Sequence, residues 1–178
     1  MPDSISPKDL QERFGPLLAE CPGGSAAVLA GALTRRDVSP DHAILSTDVD
    51  SNELLLIWEG RFGVWIGDEE RERVGTVGPG AWLGDVTFIE PGRPSADVIA
   101  ETPAVVLALS NVQLKTLVEV SPPLARGLLH AVNDDLIRRL RAVDRELRGG
   151  VEPQAPDGWL KRLWAGLHRA QSAPGGER

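Results

Sequence analysis

Residues 80–98 read GAWLGDVTFIEPGRPSADV, and this stretch decides how the rest of the chain is interpreted. It starts with a glycine-bounded turn, continues with a segment of short-helix length, and ends in residues that favour a strand. Gly84 lacks a Cβ, so a neighbouring group can approach its backbone closely. This order of turn, short helix and strand is typical of a cassette that holds a phosphate group.

Short predicted strands flank residues 80–98, the cassette, on both sides. Apolar residues alternate with polar ones, and clusters of Asp, Asn, Gly and Pro separate the apolar runs. Many short strands without a long helix between them predict a sandwich or barrel rather than a parallel α/β sheet. The predicted strands cover residues 43–46, 54–58, 62–66, 72–77, 96–100 and 105–110.

Helical periodicity precedes and follows these strands. We expect a helix over 7–20 with a break near Gly15, and a second helix over 25–33 with Ser25 as its N-cap. After the strands, Asn111 is expected to cap a helix that runs to about residue 120.

A long helix is then predicted over 123–148, with a heptad-like apolar stripe. The stripe either packs on the chain's own sandwich or pairs with a second copy, and its length favours a homodimer through residues 129–147. Its members are Leu129, Val132, Leu136, Leu140, Val143 and Leu147.

The end of the chain carries a separate amphipathic segment. Residues 159–171 place apolar side chains on one helical face, and Lys161, Arg162, His168 and Arg169 on the other. This pattern is typical of a helix that docks on a membrane surface or on a partner protein, although it could also fold back on its own domain. The apolar face consists of Trp159, Leu160, Leu163, Trp164 and Leu167.

The chain thus divides into four predicted parts. Residues 1–24 form an N-terminal helical segment, and residues 25–148 form the strand-rich domain with its long helix. Residues 149–158 are a linker, and residues 159–178 hold the amphipathic helix and tail.

The balance of charge excludes some functions. Residues 1–135 carry 10 Lys/Arg and 21 Asp/Glu, so the body should repel nucleic acid, whereas residues 136–178 carry 9 and 5. A transmembrane helix would need about 18 consecutive apolar residues, and the sequence contains no such run. The start of the chain also lacks a secretory signal pattern, so we expect a cytoplasmic protein, with membrane association as an option for its tail.

Catalytic and metal-binding patterns are missing from the sequence. His42, His130 and His168 are isolated from one another, and Cys21 is the single cysteine. No nucleophile motif or phosphate-binding P-loop is present, so we expect no enzyme, no catalytic residue and no metal site.

The helices, the short strands around the cassette and the long final helix resemble the cyclic-nucleotide-binding domain family. The resemblance covers about residues 25–148 and is strongest over 74–117. It implies a mainly β fold, the jelly roll of the catabolite activator protein, with flanking N-terminal helices and a long C-terminal helix. It also implies a cyclic nucleotide held in the cassette and a C-terminal helix that reports occupancy or forms a dimer.

The resemblance assigns most of the site residue by residue. Gly84 matches the glycine that admits the ligand, and Asp85 matches, one methylene shorter, the glutamate that accepts a hydrogen bond from the ribose 2′-hydroxyl. The backbone N–H groups of the next two residues would start the cassette helix, where unpaired donors suit an anion. The residues matched in addition to Gly84 and Asp85 are Val86, Thr87, Ser95 and Ala96.

One position departs from the family. Pro94 stands where the family has an arginine, so a bidentate clamp on phosphate is lost. Arg93 is the nearest substitute, but adjacent side chains of an extended backbone point in opposite directions. Trp82, beside the cassette, either packs in the core or stacks on a ligand base.

These observations lead to one hypothesis and two alternatives. The leading hypothesis is a non-catalytic regulatory or adaptor module whose cyclic AMP or cyclic GMP site is degraded, and which acts through its C-terminal helices on a partner protein or a membrane. No cofactor is expected, apart from a cyclic nucleotide as a conceivable ligand. The first alternative is a functional nucleotide sensor with an atypical cassette, and the second is a structural component of an assembly.

Overall fold

The structure, a computed structural model, describes residues 5–67 and 71–149. Within these ranges the strands form two antiparallel four-stranded sheets, which pack face to face as a jelly roll. The strands are β1 Thr34–Val38, β2 Ala43–Leu45, β3 Glu53–Glu59, β4 Phe62–Ile66, β5 Glu72–Val77, β6 Trp82–Leu83, β7 Asp97–Ala100 and β8 Ala104–Ser110.

The helices surround one side of this sandwich. They are α1 Pro7–Arg13, α2 Gly15–Leu18, α3 Ser25–Ala32, α4 Asp85–Ile89, α5 Asn111–Val120 and α6 Pro122–Gly149. The first sheet has the strand order β1-β8-β3-β6 and the second has the order β2-β7-β4-β5. The predicted jelly roll with N-terminal helices and a long C-terminal helix is therefore confirmed.

The two central strands of the first sheet, β3 and β8, are buried on both faces. Leu54 and Leu56 of β3 pack against the helices, whereas Leu55 and Ile57 point into the space between the two sheets. This explains why β3 reads ELLLIWE, a continuous apolar run rather than a strict alternation. β1 was not predicted, because its residues TRRDV are mostly exposed at a sheet edge and show no apolar period.

The N-terminal helices pack on the same core as the strands. Leu10, Phe14 and Leu17 are fully buried, and the ring of Phe14 stacks on that of Trp58 at 6.4 Å between centroids. The guanidinium of Arg13 lies 4.4 Å from the Trp58 ring centroid and donates to the Trp58 carbonyl at 2.6 Å. The segment before residue 25 thus contributes directly to the hydrophobic core.

Two predicted helix caps were wrong by one residue. Ser110, not Asn111, caps α5, because its hydroxyl accepts the Gln113 N–H while the Gln113 side chain accepts the Ser110 N–H, a reciprocal capping box. At α3 the cap is Gly24, whose φ of 86° is accessible to glycine, and Ser25 is the first helical residue.

Helix α6 changes its surroundings along its length. Leu124, Leu128 and Val132 are fully buried in the core between the helices and the first sheet, the helical core. One turn further on, Leu136 is half-buried, and Leu140 is 69% exposed. The first half of the predicted apolar stripe therefore packs on the chain's own domain, while the side chains of Val143 and Leu147 lie outside the described part.

Candidate ligand-binding site

A cavity of about 250 Å³ opens between the cassette, the second sheet and α6. The seven predicted site residues all line it, so the structure brings the whole set together; their role as ligand contacts stays a prediction. Leu136 and Arg139 of α6 form one wall. The lining residues are Leu45, Val64, Leu83, Gly84, Asp85, Val86, Thr87, Arg93, Pro94, Ser95, Ala96, Val98, Leu136 and Arg139.

A glycine is required at position 84 because of its backbone conformation and the nearby strand β3. Its φ is 77°, a left-handed conformation that side chains other than glycine rarely adopt. A Cβ placed there would come within 2.3 Å of the Glu53 carbonyl oxygen. The glycine is thus explained by the close passage of β3, where the resemblance had assigned it to the approach of a ligand.

Asp85 is the acidic side chain of the cavity, and it serves the protein's own groups. Its Oδ1 accepts the Val86 N–H at 2.9 Å. The resemblance implied that this N–H faces an anion, but here it is already hydrogen-bonded to Asp85. Its Oδ2 lies 2.9 Å from Nη1 of Arg139 on α6. Asp85 therefore links the cassette to the long helix.

Arg139 is shared between two carboxylates. Its second nitrogen is ion-paired with Asp135, one helical turn earlier on α6. The Oδ2 atoms of Asp85 and Asp135 are buried, yet neither has a hydrogen bond of good geometry, and the same holds for Nε1 of Trp82. Among the described residues, these three buried side-chain atoms without hydrogen bonds all lie where α6 meets the cassette and β6. Such under-satisfied polar groups are costly and mark a place that can rearrange.

Sequence reasoning did not identify Arg139 as a site residue. The contact joins positions 85 and 139, so it depends on the path of α6 across the sandwich. One signal was available, since Asp135 and Arg139 have the i,i+4 spacing of a helical ion pair.

The strand alternation that would turn Arg93 away from the site does not apply to its loop. Arg93 and Pro94 both line the cavity. The alternation rule requires an extended strand, but β7 begins only at Asp97 and the preceding residues form an irregular loop. Arg93 is exposed, and within the described ranges it makes no ion pair. Arg93 is thus a lining residue of the cavity, although the family position itself holds proline.

Asp97 anchors the end of the same loop. Its Oδ1 accepts the Thr47 N–H at 2.7 Å and the Thr47 hydroxyl at 3.1 Å, and its Oδ2 lies 2.7 Å from the Arg71 guanidinium. Backbone hydrogen bonds of 2.8 and 3.1 Å also join Ser51 and Gly92. The turn at residues 47–52, which contains no glycine, is thereby tied to the cassette.

Trp82 does not line the cassette cavity. It faces a neighbouring open cavity of about 390 Å³, bounded also by Pro79, Asp135 and Arg139. Packing next to the helical core is the role that the structure supports for this ring. Stacking of Trp82 on a ligand in the cassette cavity is not supported by this arrangement.

Several other predicted features lie elsewhere. The apolar face at 159–167 is outside the described residues. Over 5–67 and 71–149, no group of three or more His, Cys, Asp or Glu side chains could hold a metal ion. In the same ranges no helix has both the length and the apolar character needed to span a bilayer. Burial raises the pKa of the Cys21 thiol, which argues against a reactive thiolate.

The comparisons with known proteins agree with this fold. Residues 35–121 match the family described as "Cyclic nucleotide-binding domain". A cyclic nucleotide-binding domain from Methylobacillus flagellatus is 22% identical, with a TM-score of 0.67 over 84% of this chain and 88% of that one. The catabolite activator protein of Thermus thermophilus is 19% identical, with a TM-score of 0.64 over 91% of each chain. Residues 35–121 therefore match the cyclic nucleotide-binding domain family.

One curated relative is longer than this chain. The Pycsar effector protein PaPycTIR of Pseudomonas aeruginosa is 29% identical over 112 residues. The match covers 62% of this chain and 35% of the relative. The chain thus spans about a third of the length of that relative.

Proposed function

We propose that this chain is a non-catalytic regulatory module whose cassette cavity binds a small phosphate ester of the cyclic-nucleotide class. Helix α6 then carries the ligand state to the segment that follows it. The observation that carries this proposal is that Leu136 and Arg139 of α6 form a wall of the cavity. A ligand in the cavity would touch the helix directly.

The charge needed for a phosphate comes from Arg93 in this proposal. Arg93 lines the cavity together with Ser95, whose hydroxyl can donate a second hydrogen bond. Charge-assisted hydrogen bonds from a guanidinium to phosphate are roughly twice as strong as neutral ones. Arg93 would therefore take the place of the arginine that Pro94 lacks.

Signalling through α6 follows from its uneven packing. The helix is held firmly up to Val132, whereas further on its link to the cassette is the Asp85–Arg139 ion pair. A ligand that packs on Leu136 adds contacts to this weakly held part. Binding shifts the population toward the state in which α6 is docked on the cassette. The size of the shift is set by the difference in ligand affinity between the two states.

The relative's name supports a role in signalling. PaPycTIR is called an effector protein, and the match with this chain covers part of it. We retain the predicted homodimer through residues 129–147 for the part beyond Leu136, because Leu140 is exposed whereas Val132 is buried in the chain's own core. Docking of residues 159–171 on a membrane or a partner protein is proposed from the sequence pattern alone.

A second candidate is a ligand-independent adaptor with a degraded site. It is favoured by the commitment of Asp85 to Val86 and Arg139, and by the uncharged Pro94. In this case the ion pair would hold α6 permanently, and the domain would serve as a scaffold. A purely structural assembly component would show the same behaviour toward nucleotides.

Thermal unfolding of the full chain with millimolar cyclic mono- and dinucleotides separates these candidates. Ligand binding to the native state stabilises it by about 2.7 kcal/mol at a hundredfold excess over Kd. The proposal predicts a higher Tm with at least one nucleotide, and loss of that shift in Arg93→Gln. Arg126→Gln, an exposed arginine of α6 that does not line the cavity, should keep it. A flat Tm across the panel would favour the adaptor.

A further inference from the structure

We infer that the cavity does not read the ribose 2′-hydroxyl of its ligand, so that a cyclic nucleotide and its 2′-deoxy counterpart bind alike. The inference rests on the proposed function and specifies which part of the ligand is recognised. Asp85, the residue that could accept a hydrogen bond from that hydroxyl, is in this chain a positioning residue for α6.

Each carboxylate oxygen of Asp85 already lies next to one group of the protein itself. Oδ1 accepts the Val86 N–H at 2.9 Å. Oδ2 lies 2.9 Å from the Arg139 guanidinium and has less than 1 Å² of accessible surface. A hydroxyl group in the cavity does not reach Oδ2 while Arg139 is in place.

Exchange of these partners for a ligand hydroxyl is unfavourable. A hydroxyl is a neutral donor, whereas Arg139 brings a full positive charge to a side chain that is only 10% exposed. Loss of the cation would leave a buried carboxylate without its counter-charge. The carboxylate also lies close to the α4 backbone, since its Oδ1 accepts the Val86 N–H.

The other polar groups of the cavity favour the phosphate end of a ligand. Arg93 and Ser95 sit together on the loop before β7 and offer donors. The Thr87 hydroxyl is buried and donates to the Gly84 carbonyl at 3.1 Å. Asp85 is the one acidic side chain among the lining residues, so the cavity combines a donor end with largely apolar walls.

The test is calorimetric titration of the full chain with matched pairs of nucleotides. Cyclic AMP, GMP, CMP and UMP are each compared with the 2′-deoxy compound of the same base. For every base that binds, the two Kd values should agree within about threefold, since a lost hydrogen bond typically costs about 1 kcal/mol or more. A loss of affinity of about tenfold or more in the deoxy compound would overturn the inference.

Asp85→Asn gives a second, independent readout. Because Asp85 acts through α6, this variant should weaken the ribo and deoxy compounds by the same factor and leave their ratio unchanged. A selective loss for the ribo compound would show direct contact and overturn the inference. Asp134→Asn, an exposed α6 residue that does not line the cavity, is the matched control and should change neither Kd.

The same titrations separate this inference from the proposed function. Binding of ribo compounds alone overturns the inference and keeps the proposed function. Absence of binding by every compound overturns both. Equal binding of both members of a pair, lost in Arg93→Gln, supports both.

Discussion

Two buried aspartates hold opposite sides of the cassette, and they are satisfied very differently. Oδ1 of Asp97 accepts two hydrogen bonds from Thr47, and Oδ2 is ion-paired with Arg71. Both carboxylate oxygens therefore have a partner. Asp85 shares Arg139 with Asp135, and its Oδ2 lacks an aligned donor. The side of the cassette that faces the sandwich is fixed, and the side that faces α6 is held loosely.

This difference shows where movement can arise in the domain. A fully hydrogen-bonded buried carboxylate stabilises one arrangement, whereas an ion pair without aligned hydrogen bonds holds its partner helix less rigidly. The sandwich side therefore acts as the frame, and α6 acts as the element that responds. Substitutions on the two sides should differ in size and in where their effects appear.

The largest effect is expected on the fixed side. Asp97→Ala should lower the free energy of unfolding by about 3 kcal/mol, because it leaves the partly buried Thr47 N–H unsatisfied and Arg71 without its counter-charge. Chemical denaturation measures the change. Asp50→Asn, on the exposed part of the neighbouring turn, is the control and should be near neutral. A loss below about 1 kcal/mol for Asp97→Ala would remove the distinction between the two sides.

Gly84→Ala should follow with a loss of about 2 kcal/mol or more. The new Cβ would meet the Glu53 carbonyl oxygen at 2.3 Å, and the residue has a φ of 77°. Gly92→Ala is a matched control in the same cassette, since its Cβ would come no closer than 4.0 Å to a neighbour. Equal Tm values for the two variants would contradict the tight contact between the cassette and β3.

Arg139→Gln should cost less, up to about 2 kcal/mol, because Asp85 loses its counter-charge but Arg139 is 27% exposed and the pair lacks aligned hydrogen bonds. Its effect should be local: faster amide hydrogen exchange in α6 beyond residue 135, with little change in the sheets. Arg138→Gln is the control, because Arg138 pairs with Asp135 but is 68% exposed. Uniformly faster exchange throughout the domain would contradict a loosely held α6.

The smallest effect concerns pH at the far end of the sandwich. Hydrogen bonds from Arg73, and more weakly from Arg61, lower the pKa of Glu101 against the opposing effect of burial. A lowered folded-state pKa stabilises the protein above the unfolded pKa, and this stabilisation is lost as pH falls through the folded value. Glu101→Gln should therefore lower stability by less than about 1 kcal/mol at neutral pH and by nothing in strong acid. A difference that grows toward acid pH would reverse the sign of the expected shift.

Much of the fold could be predicted from the sequence, because apolar period and turn residues are local signals. The strands β4 and β5 were predicted with their observed bounds, since clear turn residues stand on both sides of each strand. The two-residue β6 and the exposed edge strand β1 carry no such period and were missed.

The cassette residues were found through the resemblance, whereas the α6 side of the site was not. Arg139 enters the cavity because α6 crosses the cassette, and this long-range placement leaves no local pattern. The position of Arg93 depends on an irregular loop, to which strand alternation does not apply. Local signals thus identified the frame, and tertiary packing decided which charges face the ligand.

The central claim is that a nucleotide in the cassette cavity is read by α6. Amide hydrogen exchange of the full chain, with and without the nucleotide that raises Tm most, tests it directly. We expect added protection at residues 84–96 and in α6 beyond residue 135, with the sheets unchanged. Protection confined to the cassette, or no protection anywhere, would contradict it.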